Sequence, residues 1–202
     1  MAADVVSVEP EQLPRSQQDR RHRIVRAALE LLDGAEYDAI QMRDIAARAG
    51  VALATIYRYF ASKEHLYAAA LGEWAAGYPT AGARGGEATS DEARLRALMR
   101  RAVRAFERHP HVMRVVTVLE GTSDVNARAL FEQFGRRNAA TLMGALSSYD
   151  TATAAAIIET ANSVMFTRLR SWALGRCSIR DVDRSVQRAL DLIFEPLEAP
   201  RS

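Results

Sequence analysis

The sequence predicts an all-α protein of about nine helices, a small N-terminal domain followed by a larger helical one, and three observations lead there. Between Gln41 and Leu66, apolar residues recur at helical spacing in two short bursts separated by Gly50-Val51, the pattern of two short helices joined by a tight turn. From Asp91 almost to the end, apolar stripes recur at i, i+3 and i+4 with only brief interruptions. Between these regions, residues 77 to 90 hold four Gly and one Pro among small polar residues and read as a flexible connection.

Taken in order, residues 1 to 14 contain Pro10 and Pro14, show little periodicity and are net negative, which predicts a disordered tail. A helix is expected from Ser16, as N-cap, to about Asp33, with Ile24, Ala27, Ala28, Leu31 and Leu32 inward. Arg15, Arg20, Arg21, Arg23 and Arg26 crowd its first half, the unfavourable end for the helix dipole. Phosphates would explain them, and a solvated face is the competing reading. Gly34 to Ala39 makes a turn with Tyr37 packed under the motif. In the motif itself, Met42, Ile45, Ala46 and Ala49 form one stripe and Gly50 stops the helix. Ile56, Tyr59 and Phe60 pack the second helix back on the first, leaving Ala52, Leu53, Thr55 and Arg58 to point elsewhere. That second helix suits entry into a major groove about 12 Å wide.

Ser62 caps a fourth helix that runs to about Ala76 with Leu66, Ala69, Ala70, Leu71 and Trp74 inward. From Asp91, Leu95, Leu98, Met99, Ala102, Val103 and Phe106 form an apolar stripe beside a row of Arg100, Arg104 and Arg108. The row could meet an anionic ligand group, although such rows usually face water. Pro110 breaks the helix, a short helix covers His111 to Glu120, and a longer one is expected over Val125 to Ser148 with Leu130, Phe131, Phe134, Leu142, Met143 and Leu146 inward. The next, Thr151 to about Leu174, has no polar face in its first half and should be covered on several sides, by its own domain and by a second subunit. Ser178 to Asp181 starts a last helix whose Val182, Val186, Ala189, Leu190, Ile193 and Phe194 form a second seam for that subunit, ended by Pro196.

Composition excludes several classes. The net charge of +2 divides into −3 over residues 1 to 14, +3 over 15 to 63 and +2 over the remainder, so the basic excess sits on the motif. No apolar run has the length of a membrane span, the N-terminus lacks a signal-peptide pattern, and the single Cys177 permits no internal disulfide, so a cytoplasmic protein is expected. His109 and His111 lack further metal-ligand spacing, and Gly82 to Gly86 lacks the Lys-Ser/Thr end of a phosphate loop. No nucleophile with a base and no poised carboxylate pair stands out, so no enzyme, cofactor or metal is expected.

The run Ile45-Ala46, Ala49-Gly50-Val51, Thr55-Ile56-Tyr57, Tyr59-Phe60, Ser62-Lys63-Glu64 and Leu66 resembles the DNA-binding signature of the TetR family of bacterial transcriptional repressors. Gln41-Met42-Arg43, Val51-Ala52 and Tyr57-Arg58-Tyr59-Phe60 are also similar to the KstR branch, which represses sterol-catabolism genes. Two departures stand out: Gln41 replaces the usual capping Thr, costing a conventional N-cap, and Ala54 replaces a common Gly. The resemblance implies a homodimer on a palindromic operator in double-stranded DNA, with residues 15 to 63 as the helix-turn-helix DNA-binding domain and 64 to 196 as the ligand-binding and dimerisation domain. It further implies that Arg43 hydrogen-bonds a base edge, that Leu53, Ala54 and Thr55 touch bases, and that Tyr57, Arg58, Tyr59 and Lys63 hold phosphates. A small apolar effector, on the KstR-like reading a steroid or its acyl-CoA, would release the operator. Met99, Phe106, Met113, Phe131, Phe134 and Met165 are the residues that could line its pocket, with Met143 and Trp172 as further candidates and Asn162 as a buried polar handle. Ordinary core is the competing reading for each. A helical small-molecule-binding or adaptor protein without operator binding is the competing function.

Overall fold

The structure is a computed structural model that describes residues 14–77 and 90–198, the last three of these by backbone only. The described residues form nine α-helices and one 3-10 turn, with no strand. The expected tail and most of the Gly-rich connection lie outside the described residues.

Contacts divide the chain into two compact units, Met1–Gly77 with Arg114–Phe134, and Tyr78–Met113 with Gly135–Ser202. In the first unit, α1 (Arg15–Gly34), α2 (Met42–Ala49), α3 (Leu53–Tyr59) and α4 (Lys63–Ala76) close around Ile24, Ala28, Ile45, Ile56, Phe60 and Leu66, all buried. Helix α4 buries every residue from His65 to Leu71, so it is the central helix of this unit, which runs through it to Gly77. Tyr67 shows why: its hydroxyl donates to the Ala28 carbonyl of α1 at 3.2 Å, and its ring meets Tyr37 edge-on with centroids 5.0 Å apart.

Helix ends follow local chemistry, with corrections. Ser16 is not the cap of α1: the Pro14 carbonyl accepts from Gln17 N–H at 2.8 Å, and the fixed proline φ presets the start two residues earlier. Nor does Gln41 leave α2 uncapped, because the Asp44 carboxylate accepts the Gln41 backbone N–H at 2.9 Å, the reciprocal half of a capping box. Ser62 caps α4 as expected, accepting from His65 N–H at 2.9 Å.

The second unit is built on α5 (Asp91–Arg108), α8 (Thr151–Ala173) and α9 (Ile179–Glu198), while α6 (Val112–Glu120) and α7 (Val125–Met143) each contribute residues to both units. Helix α7 stops at Met143 instead of Ser148, because Gly144 to Ser148 turns to lay Ser148 N–H on the Asp91 carboxylate at 2.7 Å. Of its expected inward residues, Leu142 and Leu146 are buried, but Leu130, Phe131, Phe134 and Met143 are half-buried. Helix α9 passes through Pro196 to Glu198; a proline so near the end removes a single helical hydrogen bond.

The largest correction concerns the expected seam of α9. Val182, Val186, Leu190 and Phe194 are buried within the protomer, in the layer where α9 packs on α5 and α8, so this stripe is core. Helix α8 likewise turns Ala154, Ile157, Ile158, Ala161, Met165 and Leu169 inward. Its exposed face is mostly small, with Ala152, Ala155, Ala156, Thr160 and Ser163 around the exposed Glu159. On α9 the exposed apolar residue is Leu192, at 59%.

Candidate nucleic-acid interface

The turn between α2 and α3 is made by Gly50, at φ 65° and ψ 41°, a left-handed conformation that costs a side-chain-bearing residue free energy. Its N–H and that of Val51 return to the last carbonyls of α2, Val51 to Ala46 at 3.0 Å, which ends one helix and aims the next. Helix α3 then buries Ile56, with Phe60 just beyond it, leaving Leu53 at 40% and Tyr57 at 47% exposure as a pair one turn apart. Ala54 and Arg58 are the adjoining exposed pair, and Arg43 is exposed on α2. Arg43 touches Asp44 only at 3.8 Å, so its guanidinium is available.

The remaining expected contact residues are placed differently. Thr55 is half-buried. The Tyr59 hydroxyl is buried without a hydrogen-bond partner, while its ring lies under the Arg58 guanidinium, 5.5 Å from the centroid. Lys63 donates from Nζ to the Tyr37 carbonyl and sits 4.0 Å from the centre of the Tyr37 ring, and burial pushes its pKa down against the pull of Asp38 and Glu64. Both Tyr59 and Lys63 therefore have to turn outward to meet a phosphate.

The arginines of α1 also separate. Arg15, Arg23 and Arg26 are exposed and Arg20 is half-buried. Arg21 instead lies inward, over the Phe60 ring at 5.1 Å and 3.9 Å from Glu73 of α4. Burial lowers its pKa while Glu73 opposes, and burial raises that of Glu73. Arg48 is also engaged, held by Glu30 at 2.6 and 2.8 Å, which ties α2 to α1.

Two residues that sequence reasoning passed over stand at the start of α4. Asp124 caps α7 by accepting from Asn126 and Ala127 N–H at 2.8 and 2.9 Å; burial raises its pKa, but the Ser62 hydroxyl and these amides hold it below the ordinary range. His65, beside it, accepts the Ala61 N–H on Nδ1 at 3.1 Å and meets Phe60 edge-on. An Asp just before a helical stripe was a readable cap signal. That it also reaches Ser62 was not readable, because the two are far apart in the chain.

The expected ligand residues fall in both units. Met99, Phe106, Met113 and Met165 are buried in the second, and the rings of Phe106 and Phe166 meet edge-on with centroids 6.2 Å apart. Asn162, also in the second unit, is half-buried, and its Oδ1 is buried without a partner. Phe131 and Phe134 belong to the first unit and stack on each other at 6.1 Å. Met143 and Trp172 are half-buried. Cys177 is half-buried, its Sγ donating to the Arg168 carbonyl at 3.7 Å. Among the described residues no His, Cys, Asp and Glu cluster has the geometry to hold a metal, and no helix is long and apolar enough to cross a membrane.

Comparison with known proteins decides what this scaffold is. The family model of bacterial regulatory proteins of the tetR family matches residues 24–70, and that of the tetracyclin repressor-like C-terminal domain matches residues 87–193. The chain belongs to the TetR family. Within it, the chain is 30% identical over 182 residues to the HTH-type transcriptional repressor KstR of Rhodococcus jostii, covering 89% of this chain and 84% of that protein. It is likewise 30% identical over 191 residues to KstR of Mycolicibacterium smegmatis, covering 92% of each. A TetR transcriptional regulator from Rhodococcus sp. RHA1 superposes with a TM-score of 0.75 at 26% identity, over 92% of this chain and all (100%) of the other. The TetR fold is also that of Thermus thermophilus FadR, solved in complex with lauroyl-CoA, with a TM-score of 0.73 at 22% identity, over 90% of this chain and 98% of that one.

Proposed function

We propose that this TetR-family protein is a transcriptional repressor that holds a palindromic operator as a homodimer and is released by a bulky apolar effector, a steroid or its acyl-CoA. The observation that carries this reading is the outward face of α3, where Leu53, Ala54, Tyr57 and Arg58 stand exposed beside Arg43 on a buried, capped scaffold. An apolar and basic surface on the second helix of a helix-turn-helix is what a major groove accepts. The likeness to two KstR repressors supports the repressor role, the resemblance of the motif to the sterol-catabolism branch supports the steroid class, and the fold shared with a lauroyl-CoA-bound protein supports the thioester form.

Residues 15 to 63 are the reading part and residues 64 to 196 the sensing and dimerising part. Arg43 bonds guanine O6 and N7; Leu53, Ala54 and Thr55 touch bases, Leu53 suiting a thymine methyl; Tyr57 and Arg58, with Tyr59 and Lys63 once turned outward, hold phosphates. The dimer forms through the exposed, mostly small face of α8 around Glu159 and the exposed face of α9 around Leu192. Effector occupancy displaces α4 and changes the separation of the two α3 helices, which then no longer match half-sites about 34–36 Å apart.

A gel shift with the DNA upstream of the protein's own coding sequence tests this, titrated with steroids, steroid thioesters and fatty acyl-CoAs. One saturable complex that dissociates with one of these compounds is expected. A protein that binds such a compound but shifts no DNA would be the helical binding or adaptor protein instead.

A further inference from the structure

We propose that the arginine row Arg100, Arg104 and Arg108 on the outer face of α5 is the seat of the phosphates of a coenzyme A thioester whose acyl part lies on the inner face of the same helix, with Asn162 of α8 meeting the pantetheine arm. The proposal rests on the effector class put forward above and assigns its polar half to residues.

Helix α5 has two unlike faces. Leu95, Met99, Val103 and Phe106 are at most 3% exposed. On the other side the arginines of its first turns are neutralised: Arg94 pairs with Asp91, and Arg96 with Glu92 and with Asp191 at 2.7 Å. Arg100, Arg104 and Arg108 hold no carboxylate among the described residues, and all three are exposed. Like charges one turn apart repel, so nothing inside the described protomer rewards this row. The helix dipole accounts for Arg108 alone, which sits in the last turn. Three cations spread over about 12 Å of helix match a ligand whose phosphates are distributed along a nucleotide better than they match one carboxylate.

The second observation is independent of charge. The Asn162 Oδ1 is buried with no hydrogen-bond partner, a costly state for a polar atom. Asn162 lies one turn before Phe166, on the same side of α8, and the Phe166 ring meets Phe106 of α5. An unmatched acceptor thus stands where α8 faces the inner side of α5. A pantetheine arm brings two amide N–H donors and is longer than a helix is wide, so one thioester molecule supplies the missing donor while its phosphates reach the outer row. A free steroid or fatty acid supplies neither.

The test is calorimetric binding to the full chain without DNA, using lauroyl-CoA, laurate and free coenzyme A as probes. The proteins are wild type, a triple Arg100→Gln, Arg104→Gln, Arg108→Gln variant, and the corresponding triple Lys variant. The Gln triple should weaken lauroyl-CoA about tenfold, an effect that shrinks with added salt, while the Lys triple stays within about threefold of wild type and laurate is unchanged on all three. Asn162→Leu should weaken lauroyl-CoA but not laurate. Equal affinity of wild type and Gln triple, or a wild type that binds lauroyl-CoA no better than laurate or not at all, overturns the proposal. So does a Gln triple that loses operator affinity without effector, since the row would then hold DNA. A gel shift run in parallel keeps these outcomes apart from failure of the repressor reading, which would appear as wild type shifting no DNA.

Discussion

At the scale of single residues, Arg43 and His65 show how burial separates reading from folding. Arg43 is exposed and bound to nothing closer than Asp44 at 3.8 Å, so replacing it leaves the core intact. Arg43→Ala should cost about 1–3 kcal/mol at its own base pair with the melting temperature nearly unchanged. Binding measured on a library of single-base operator changes checks this; a uniform loss on every sequence would make it a phosphate contact. His65 is buried, and burial lowers its pKa, Arg21 adding to the shift and Asp124 opposing it. With the folded value below the ordinary one of about 6.5, the unfolded chain takes up the proton more readily. The stabilisation is therefore full above that ordinary value and is lost as pH falls toward the folded pKa. Melting temperature should drop between about pH 7 and 5.5, and His65→Asn, which keeps an acceptor for the Ala61 N–H, should flatten that slope. An unaltered slope would assign the acid sensitivity to another group.

At the scale of elements, the two faces of α9 have opposite roles. Val186 is fully buried within the protomer, so Val186→Asp places an uncompensated charge in the core and should cost more than about 3 kcal/mol, with loss of the folded second unit. Leu192 is 59% exposed, so Leu192→Asp should change protomer stability by no more than about 0.5 kcal/mol while converting the dimer to a monomer. Sedimentation velocity with a parallel thermal melt separates the two. A Leu192→Asp variant that remains dimeric would move the interface off this face. The α2 cap belongs to this scale as well: Gln41 departs from the family's usual residue, yet Asp44 three positions on satisfies its N–H, so the helix is held without a conventional side-chain cap.

At the scale of the whole molecule, the basic excess over residues 15 to 63 becomes a statement about salt. Arg20 and Arg23 flank the inward-turned Arg21 in the chain and hold no carboxylate among the described residues. Arg20→Gln with Arg23→Gln should weaken binding to operator and unrelated DNA alike, lowering the log-log salt slope by about 0.9 for each phosphate no longer neutralised. Arg21→Gln should act otherwise, lowering the melting temperature because Glu73 is left half-buried without that partner. Fluorescence anisotropy at a series of salt concentrations distinguishes them; an unchanged slope in the double variant would leave Arg20 and Arg23 as a solvated face.

The sequence by itself determined the all-α class, the helix-turn-helix, the Gly50 turn, the Ser62 and Ser178 starts and the Pro110 break, because each rests on interactions between residues at most a few positions apart. It also marked Leu53 and Arg58 as facing away from the core, since helical spacing alone sets that. Only the tertiary structure decided that Arg21 turns to Glu73, that Lys63 docks on the Tyr37 carbonyl, that Asp124 clasps Ser62, and that the α9 stripe is core and not subunit seam. An amphipathic pattern says that a face is buried but not by what. The covering groups here come from helices distant in the chain, and only their folding together chooses between a neighbour in the same protomer and one in the next.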